Sequence, residues 1–393
     1  GTVLFEFKVE SLAENRPSVL RGDRIIAQQF GHNNKVYVHM GYVHFVNLDT
    51  MLASFDTNQV FESHYNIIFT FRKTQLKLMK RALMDENNAF DLTCKWVENS
   101  IPLKEIAMQP MKPKTIEKPN LEQKLATIAC YTRQNAHVPL VIYGPPGTGK
   151  TTVMVECIAH LLCMSAKILI CAPSNYAADL IVEKLDKKFT TSGYDLKQLI
   201  VRLNAVQRNP KSMSDTVFSY SSYSQGCFPV PEKQFITKYS LIVTTCISAG
   251  YLYSMGIPQG FFTYIFIDEA GEALETECFV PLQLAKQGVT QVVLAGDPKQ
   301  LGPVVQSPVA QSYGLDVSLL ERLVMLNEPP LNLPCISSIK LKDSYRAHPK
   351  ILELYNTLFY NGQLRACAED SEKHTHMFIG WKHLINPQFP SMF

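Results

Sequence analysis

Nothing in this chain limits its fold more than Leu140-Val141-Ile142-Tyr143 and the loop directly after it, Gly144-Pro145-Pro146-Gly147-Thr148-Gly149-Lys150-Thr151-Thr152. The apolar run has the length of a buried strand. The residues beyond the loop follow a helical period, with Met154, Ile158, Leu161 and Leu162 on one stripe. Strand, glycine loop and helix form the context in which G-x-x-x-x-G-K-[ST] holds phosphate. Gly144, Gly147 and Gly149 let backbone N–H groups close around phosphate oxygens, and the helix N-terminus adds a positive field. Lys150 then reaches the β- and γ-phosphates, and the Thr151 hydroxyl is a ligand for Mg²⁺. Pro145, Pro146, Thr148 and Thr152 belong to the same binding loop. A glycine turn with no ligand is the alternative, and strand, spacing and helix together argue against it.

At 393 residues there is room for two or three domains with sizeable cores. Apolar residues at 46% and charged ones at 19% are ordinary fractions, so most of the chain should be globular rather than disordered. A formal charge of +3 is too small to identify a nucleic-acid binder by electrostatics. Ten cysteines without a C-x₂-C pair argue against a zinc module or a disulfide scaffold. They read as reduced, mostly buried thiols of a cytosolic or nuclear protein. No apolar run approaches a membrane span, and the N-terminus lacks the layout of a signal peptide.

Residues 1–70 read as short strands. Val3 to Val9, Val36 to Met40, Tyr42 to Val46 and Asn66 to Phe71 are β-rich, with Gly31, Gly41 and Asn33-Asn34 between them as turns. So many strands in so few residues suggest a small barrel. Arg72 to Leu83 is helical by composition, with Leu76, Met79 and Leu83 on one face; its basic residues suit either a nucleic-acid surface or a solvated face. Prolines 102, 110, 113 and 119 mark a linker, so 71–119 reads as stalk and linker. A core domain follows over 120–328. Beyond the glycine loop, Ile168 to Ala172, Leu241 to Thr245, Tyr264 to Ile267 and Gln291 to Ala295 look like buried parallel strands. Ala177, Leu180, Ile181 and Leu185 give one intervening helix. Residues 190–238 break the pattern and read as an insertion. Pro329-Pro330 and Pro334 mark a second linker, ahead of a further domain over 329–393. In an open α/β sheet ligands bind off the carboxyl ends of the strands, where the polar loops lie.

Two of those loops carry chemistry. Asp268-Glu269-Ala270-Gly271 follows Ile265-Phe266-Ile267. An aspartate there can hold Mg²⁺ beside Thr151, and the adjacent glutamate can orient and deprotonate water. Helix N-capping is the plainer role for two such acids. Gly296-Asp297-Pro298-Lys299-Gln300-Leu301 follows the next strand, and Gln300 is a neutral donor and acceptor suited to sensing a γ-phosphate.

With these motifs the chain resembles superfamily 1 helicases of the up-frameshift-like group, and within it the Armitage-type family that includes the Moloney-leukaemia-virus-10-like helicases. The resemblance rests on Gly144 to Thr151, Ala172-Pro173-Ser174-Asn175, Thr244-Thr245, Asp268 to Gly271, Leu294 to Pro298 and Ser344-Tyr345-Arg346-Ala347-His348-Pro349. Leu12 to Asp23 also looks like this family's accessory barrel. The resemblance implies an α/β fold. Its parts are a RecA-like parallel-sheet P-loop ATPase core, an N-terminal small β-barrel accessory domain and an incomplete second RecA-like domain.

It further implies that Gln123 reads the adenine edge, that Tyr345 stacks on a base and that Arg346 is an arginine finger beside the catalytic Lys150, Glu269 and Gln300. Gln123 could otherwise be an exposed helix glutamine and Arg346 a surface ion pair. Pro173, Ser174, Asn175, Thr244 and Thr245 would bond backbone phosphates of a single strand; Ser174 could instead cap a helix. A second RecA-like domain needs on the order of 150 residues, more than follow Pro330, so the expectation is a part of a longer helicase. The implied function is ATP-dependent 5′-to-3′ movement on single-stranded RNA, with Mg²⁺. The implied setting is RNA silencing, including the piRNA kind, or transcript turnover, as a cytoplasmic monomer among silencing proteins in RNA–protein granules. Two other readings stay open: an ATP-gated RNA clamp that scaffolds silencing proteins, and a DNA helicase of the same superfamily, since nothing in the motifs senses a 2′-OH.

Overall fold

A computed structural model describes residues 3–8, 23–30, 36–46, 50–56, 65–70, 73–85, 119–132, 138–191, 195–206, 208–327 and 337–368. The stretches read as linkers, 102–118 and 329–336, and residues 12–22 of the barrel-like segment, lie outside the described residues. The chain divides into two compact units, Gly1–Lys77 and Leu78–Phe393.

The first unit is a five-stranded antiparallel sheet of β1 (Phe5–Lys8), β2 (Arg24–Phe30), β3 (Val36–Val46), β4 (Thr50–Phe55) and β5 (Asn66–Thr70), in the order β1-β4-β3-β2-β5. Ile25, Val43, Met51 and Ala53 form its core, with Phe7, Val46, Phe55, Ile67 and Phe69 against them. The sequence reading missed β2 and β4. Their inward residues are Ile25 and Ala27, and Met51 and Ala53, which lack the branched and aromatic alternation that marks a strand. Gly41 is not a turn. It lies inside the single strand β3, where a Cβ would sit 2.0 Å from the Ser54 carbonyl oxygen.

The second unit is built on a seven-stranded parallel sheet. Its strands are β6 (Leu140–Tyr143), β7 (Ile168–Ala172), β8 (Ile200–Arg202), β9 (Leu241–Thr245), β10 (Tyr264–Ile267), β11 (Gln291–Gly296) and β12 (Ser337–Lys340), ordered β12-β6-β11-β10-β7-β9-β8. Alternate residues of β6, β7, β9, β10 and β11 enter opposite cores, which is why these five read as mostly apolar runs. Ile142, Ile170, Val243 and Phe266 join the first core with the inward faces of α2 (Leu121–Thr132), α3 (Lys150–Cys163) and α4 (Asn175–Thr191). Val141, Leu169, Ile242 and Ile265 join the second with α5 (Glu275–Leu282) and α6 (Leu319–Asn327). A ring as deeply set as Phe266 would cost about 3–5 kcal/mol to truncate to alanine.

Two domain boundaries need correction. Residues 190–238 are more than an insertion, because β8 inside them forms the sheet edge beside β9. Residues 337–340 are not part of a separate second domain, because β12 pairs in parallel with β6, Ser337 opposite Leu140. The helix α1 (Lys73–Met84) also faces differently from its periodicity. Leu76 and Leu83 are exposed, whereas Met79 and Ala82 are buried against Val280, with Leu78 beside them.

Candidate nucleotide and nucleic-acid site

The carboxyl ends of β6, β10 and β11 point their loops at one cleft of about 750 Å³. The glycine loop turns into α3 through Gly147 and Gly149, at φ +81° and +90°, in the left-handed region that favours glycine. A Cβ on Gly147 would lie 2.5 Å from Arg346 Cβ, so this glycine lets the Tyr345-Arg346 segment lie across the loop. The Tyr345 N–H donates to the Gly147 carbonyl at 2.9 Å.

Lys150 Nζ donates to the carbonyls of Gly144 at 2.7 Å and Pro145 at 3.3 Å. Burial lowers its pKa below the ordinary lysine value, and the charges of Glu269, Asp297 and Asp268 act against that. The Thr148 hydroxyl donates to the Pro145 carbonyl, which braces the loop from within. Thr151 and Thr152 line the cleft with Pro146, Gly147, Gly149 and Lys150.

Asp268 follows β10 in a buried position. Its carboxyl is pushed up to about 6, chiefly by burial and then by the neighbouring Glu269 charge, while the Glu269 N–H, donated to Oδ1 at 3.1 Å, pulls the other way. Glu269 itself has φ +51°, a left-handed conformation unusual for a residue with a Cβ, and it lines the cleft. The loops after β10 and β11 abut backbone to backbone. A Cβ on Gly271 would lie 2.7 Å from the Asp297 carbonyl oxygen, and one on Gly296 would lie 2.8 Å from the Gly271 nitrogen. That closeness carries Gln300 to the same cleft as Glu269.

Gln123 is buried, not an exposed helix glutamine. With Asn120 it forms a reciprocal cap. Its Oε1 accepts the Asn120 N–H at 3.2 Å, and its own N–H donates to Asn120 Oδ1 at 2.7 Å. Its Nε2 also donates to the Thr148 carbonyl at 3.2 Å, so the same amide braces the glycine loop and lines the cleft. Asn-x-x-Gln ahead of an apolar run is a capping signal that the sequence reading passed over. Tyr345 and Arg346 close the cleft opposite. The structure adds Lys184 of α4 to this wall, where burial lowers its pKa below the ordinary lysine value and the carboxylates of Asp268 and Glu269 act against that. A single lysine on a helix gives no signal of that placement in sequence.

The single-strand contacts predicted at the next two strand ends fare unequally. Ala172 of β7 pairs with Thr245 of β9, so the two loops are neighbours as expected. Pro173 is half-buried, and Ser174 and Asn175 are exposed. The Ser174 hydroxyl caps α4 by accepting the Ala177 N–H at 3.1 Å. Asn175 Oδ1 accepts from Arg202 Nη2 at 3.0 Å. Arg202 is fully buried, held with Arg208 on the carboxylate of Asp179. The Thr244 side chain is not offered at this surface: its hydroxyl is buried and donates to the Leu203 carbonyl at 2.9 Å. Thr245 Oγ1 pairs with Ser248 Oγ at 3.0 Å and accepts its N–H. Tyr176, 78% exposed beside Ser174 and Asn175, lies off the buried stripe of α4.

Comparison with known proteins follows this geometry closely. A model described as the β-barrel domain of helicase MOV-10 matches residues 1–71. Models described as AAA domains match residues 118–227 and 229–308, and residues 315–393. A Danio rerio helicase, mov-10-B.1, is 35% identical over 411 residues, covering 99% of this chain and 39% of the relative. The Mus musculus RNA helicase Mov10l1 is 37% identical over 285 residues, 70% of this chain and 23% of that one. The chain thus spans about two fifths of the first relative's length and less of the second. With the accessory β domain, both AAA matches and the phosphate cleft in agreement, the chain belongs to the MOV-10 family of superfamily 1 helicases.

Proposed function

We propose that the protein is an ATP-dependent RNA helicase or translocase acting 5′-to-3′ on single-stranded RNA. The observation that carries this is the single cleft shared by Lys150, Thr151, Glu269, Gln300 and Arg346. Lys150 and the loop N–H groups bind the phosphates. Glu269 orients the attacking water and takes its proton, Gln300 registers the γ-phosphate, and Arg346 offsets charge on the transferring group. Tyr345 stacks on the base and the amide of Gln123 reads its edge. Mg²⁺ fits the oxygen donors present, the Thr151 hydroxyl and the Asp268 carboxylate. These two would hold it, and when bound it would supply charge neutralisation at the phosphate oxygens.

Ser174 and Asn175, exposed at a strand end next to the ATP cleft, support a grip on the phosphates of one strand. The name RNA helicase carried by the mouse relative supports RNA over DNA. We assign it, by the same kinship, to silencing of the piRNA kind or transcript turnover, as a cytoplasmic monomer working with silencing proteins in RNA–protein granules. The test is steady-state ATP hydrolysis by the full-length protein with and without RNA, beside strand displacement from RNA and DNA duplexes with single 5′ or 3′ tails. RNA-stimulated turnover with displacement from 5′-tailed RNA is expected. Tight RNA binding without repeated turnover would mean a clamp, and equal action on DNA would remove the RNA assignment.

A further inference from the structure

Asp297 follows Gly296 at the end of β11 and is buried, with no part in the reactions assigned above. A buried carboxylate needs donors, and this one has three. Oδ1 accepts the Lys299 N–H at 3.0 Å. Oδ2 accepts Gln300 Nε2 at 3.1 Å and the Tyr360 hydroxyl at 2.7 Å. Tyr360 caps the carboxyl end of the helix α7 (Pro349–Phe359), which continues from the segment bearing Tyr345 and Arg346. Its ring packs at 6.2 Å, edge-on, against Tyr355 and is buried with Leu352 and Leu364. One carboxylate oxygen thus joins the γ-phosphate sensor to an element from the far side of residues 331–336.

We propose that Tyr360 is a positioning residue for ATP hydrolysis: by donating to Asp297 it fixes the carboxylate that holds Gln300, and so ties the sensor to the placement of α7. The carboxamide of Gln300 keeps one N–H and its oxygen for the cleft that it lines. Burial and the Asp297 charge both raise the Tyr360 phenol's pKa, so it stays a donor across the working pH range. A cavity of about 40 Å³, bordered by Tyr143, Asp297, Lys340 and Tyr360, lies against the pair. Without the phenol, Asp297 would hold Gln300 with two donors in place of three.

The inference rests on the hydrolysis proposed above, so wild-type turnover and its loss in Glu269→Gln are measured first. Absence of that turnover would sink the helicase reading itself. In the full-length protein, Tyr360→Phe removes one oxygen and keeps the ring. We expect kcat for RNA-stimulated hydrolysis to fall about tenfold, the scale of one hydrogen bond to a charged group, with little change in KM for ATP. The deciding readout is the cycle with Gln300→Ala. If Tyr360 acts through Gln300, adding Tyr360→Phe to Gln300→Ala lowers kcat no further. An equal loss in both backgrounds, no loss in either, or a Tyr360→Phe protein that unfolds would overturn the proposal and leave the phenol a packing group.

Discussion

Two regions at the carboxyl ends of the same sheet are built on opposite plans. Around the glycine loop the functional side chains point outward into the cleft, braced from behind by bonds such as Gln123 to Thr148 and Tyr345 to Gly147. At the ends of β7 and β9 the polar side chains mostly turn inward. Ser174 caps a helix, Thr244 bonds Leu203, and Asn175 is held by a buried arginine. Each plan suits its ligand. Moving a phosphoryl group requires charge aimed at defined atoms, whereas gripping a strand of any sequence requires only donors along a surface. The cleft should therefore respond to single side chains, and the strand side to the network beneath it.

The largest effect expected is at Arg346. Replacing it with alanine removes positive charge needed only as the phosphoryl group transfers, so turnover by the full-length protein should fall about 10³-fold or more with ATP affinity nearly kept. Single-turnover hydrolysis beside equilibrium nucleotide binding measures both. A matched loss of binding and rate would make Arg346 an ordinary phosphate contact. Lys150 and Glu269 sharpen the point from within the loop. Glu269→Gln should keep ATP bound and lower hydrolysis about 10²–10⁴-fold, whereas Lys150→Ala should lose the nucleotide. Equal loss of ATP affinity in the two variants would refute the division of roles.

On the strand side the matching experiment strikes beneath the surface. Asp179→Ala leaves the Arg202 and Arg208 guanidiniums buried without their counter-ion. Breaking such a group costs about 3–5 kcal/mol, and here it also releases Asn175. Chemical denaturation should show that loss, and single-strand binding should weaken without a change in sequence preference. Unchanged stability would mean that the arginines find water or another acceptor, and that the two regions differ less than their geometry suggests.

These contrasts also explain what was legible in the sequence. Strands β6, β7, β9, β10 and β11 are buried on both faces, so each reads as a plain apolar run. Strand β8 ends in the buried Arg202, and β12 is Ser-Ser-Ile-Lys at the sheet edge; neither makes such a run. The glycine loop and the acids after β10 are set by spacing along the chain, and the structure brings Lys150, Thr151 and Glu269 to one cleft. Lys184 and Asp297 are set by which elements pack together, which no local pattern records. Thr244 and Thr245 part for a geometric reason: adjacent residues of a strand point to opposite faces, so the Thr244 hydroxyl turns into the interior while Thr245 stays half-buried.

The smallest effects test that last point most cleanly. Thr244→Val keeps the shape of the side chain and removes the hydroxyl that donates to the Leu203 carbonyl. The carbonyl loses one partner, so stability should drop by about 1 kcal/mol. Affinity for a single strand should not change, because the group faces the interior. Asn175→Ala is the opposite case. Asn175 is exposed, and its oxygen is already committed to Arg202, which leaves its amide N–H groups as the donors it can offer a strand. Loss of one phosphate contact should weaken binding several-fold, about equally for RNAs of different sequence, while loss of the bond to buried Arg202 should cost about 1–2 kcal/mol of stability. Fluorescence anisotropy with two unrelated RNAs, alongside thermal melts, separates the outcomes. If Thr244→Val weakens binding as much as Asn175→Ala does, the inward hydroxyl must turn outward in the complex, and the contrast between the two regions fails.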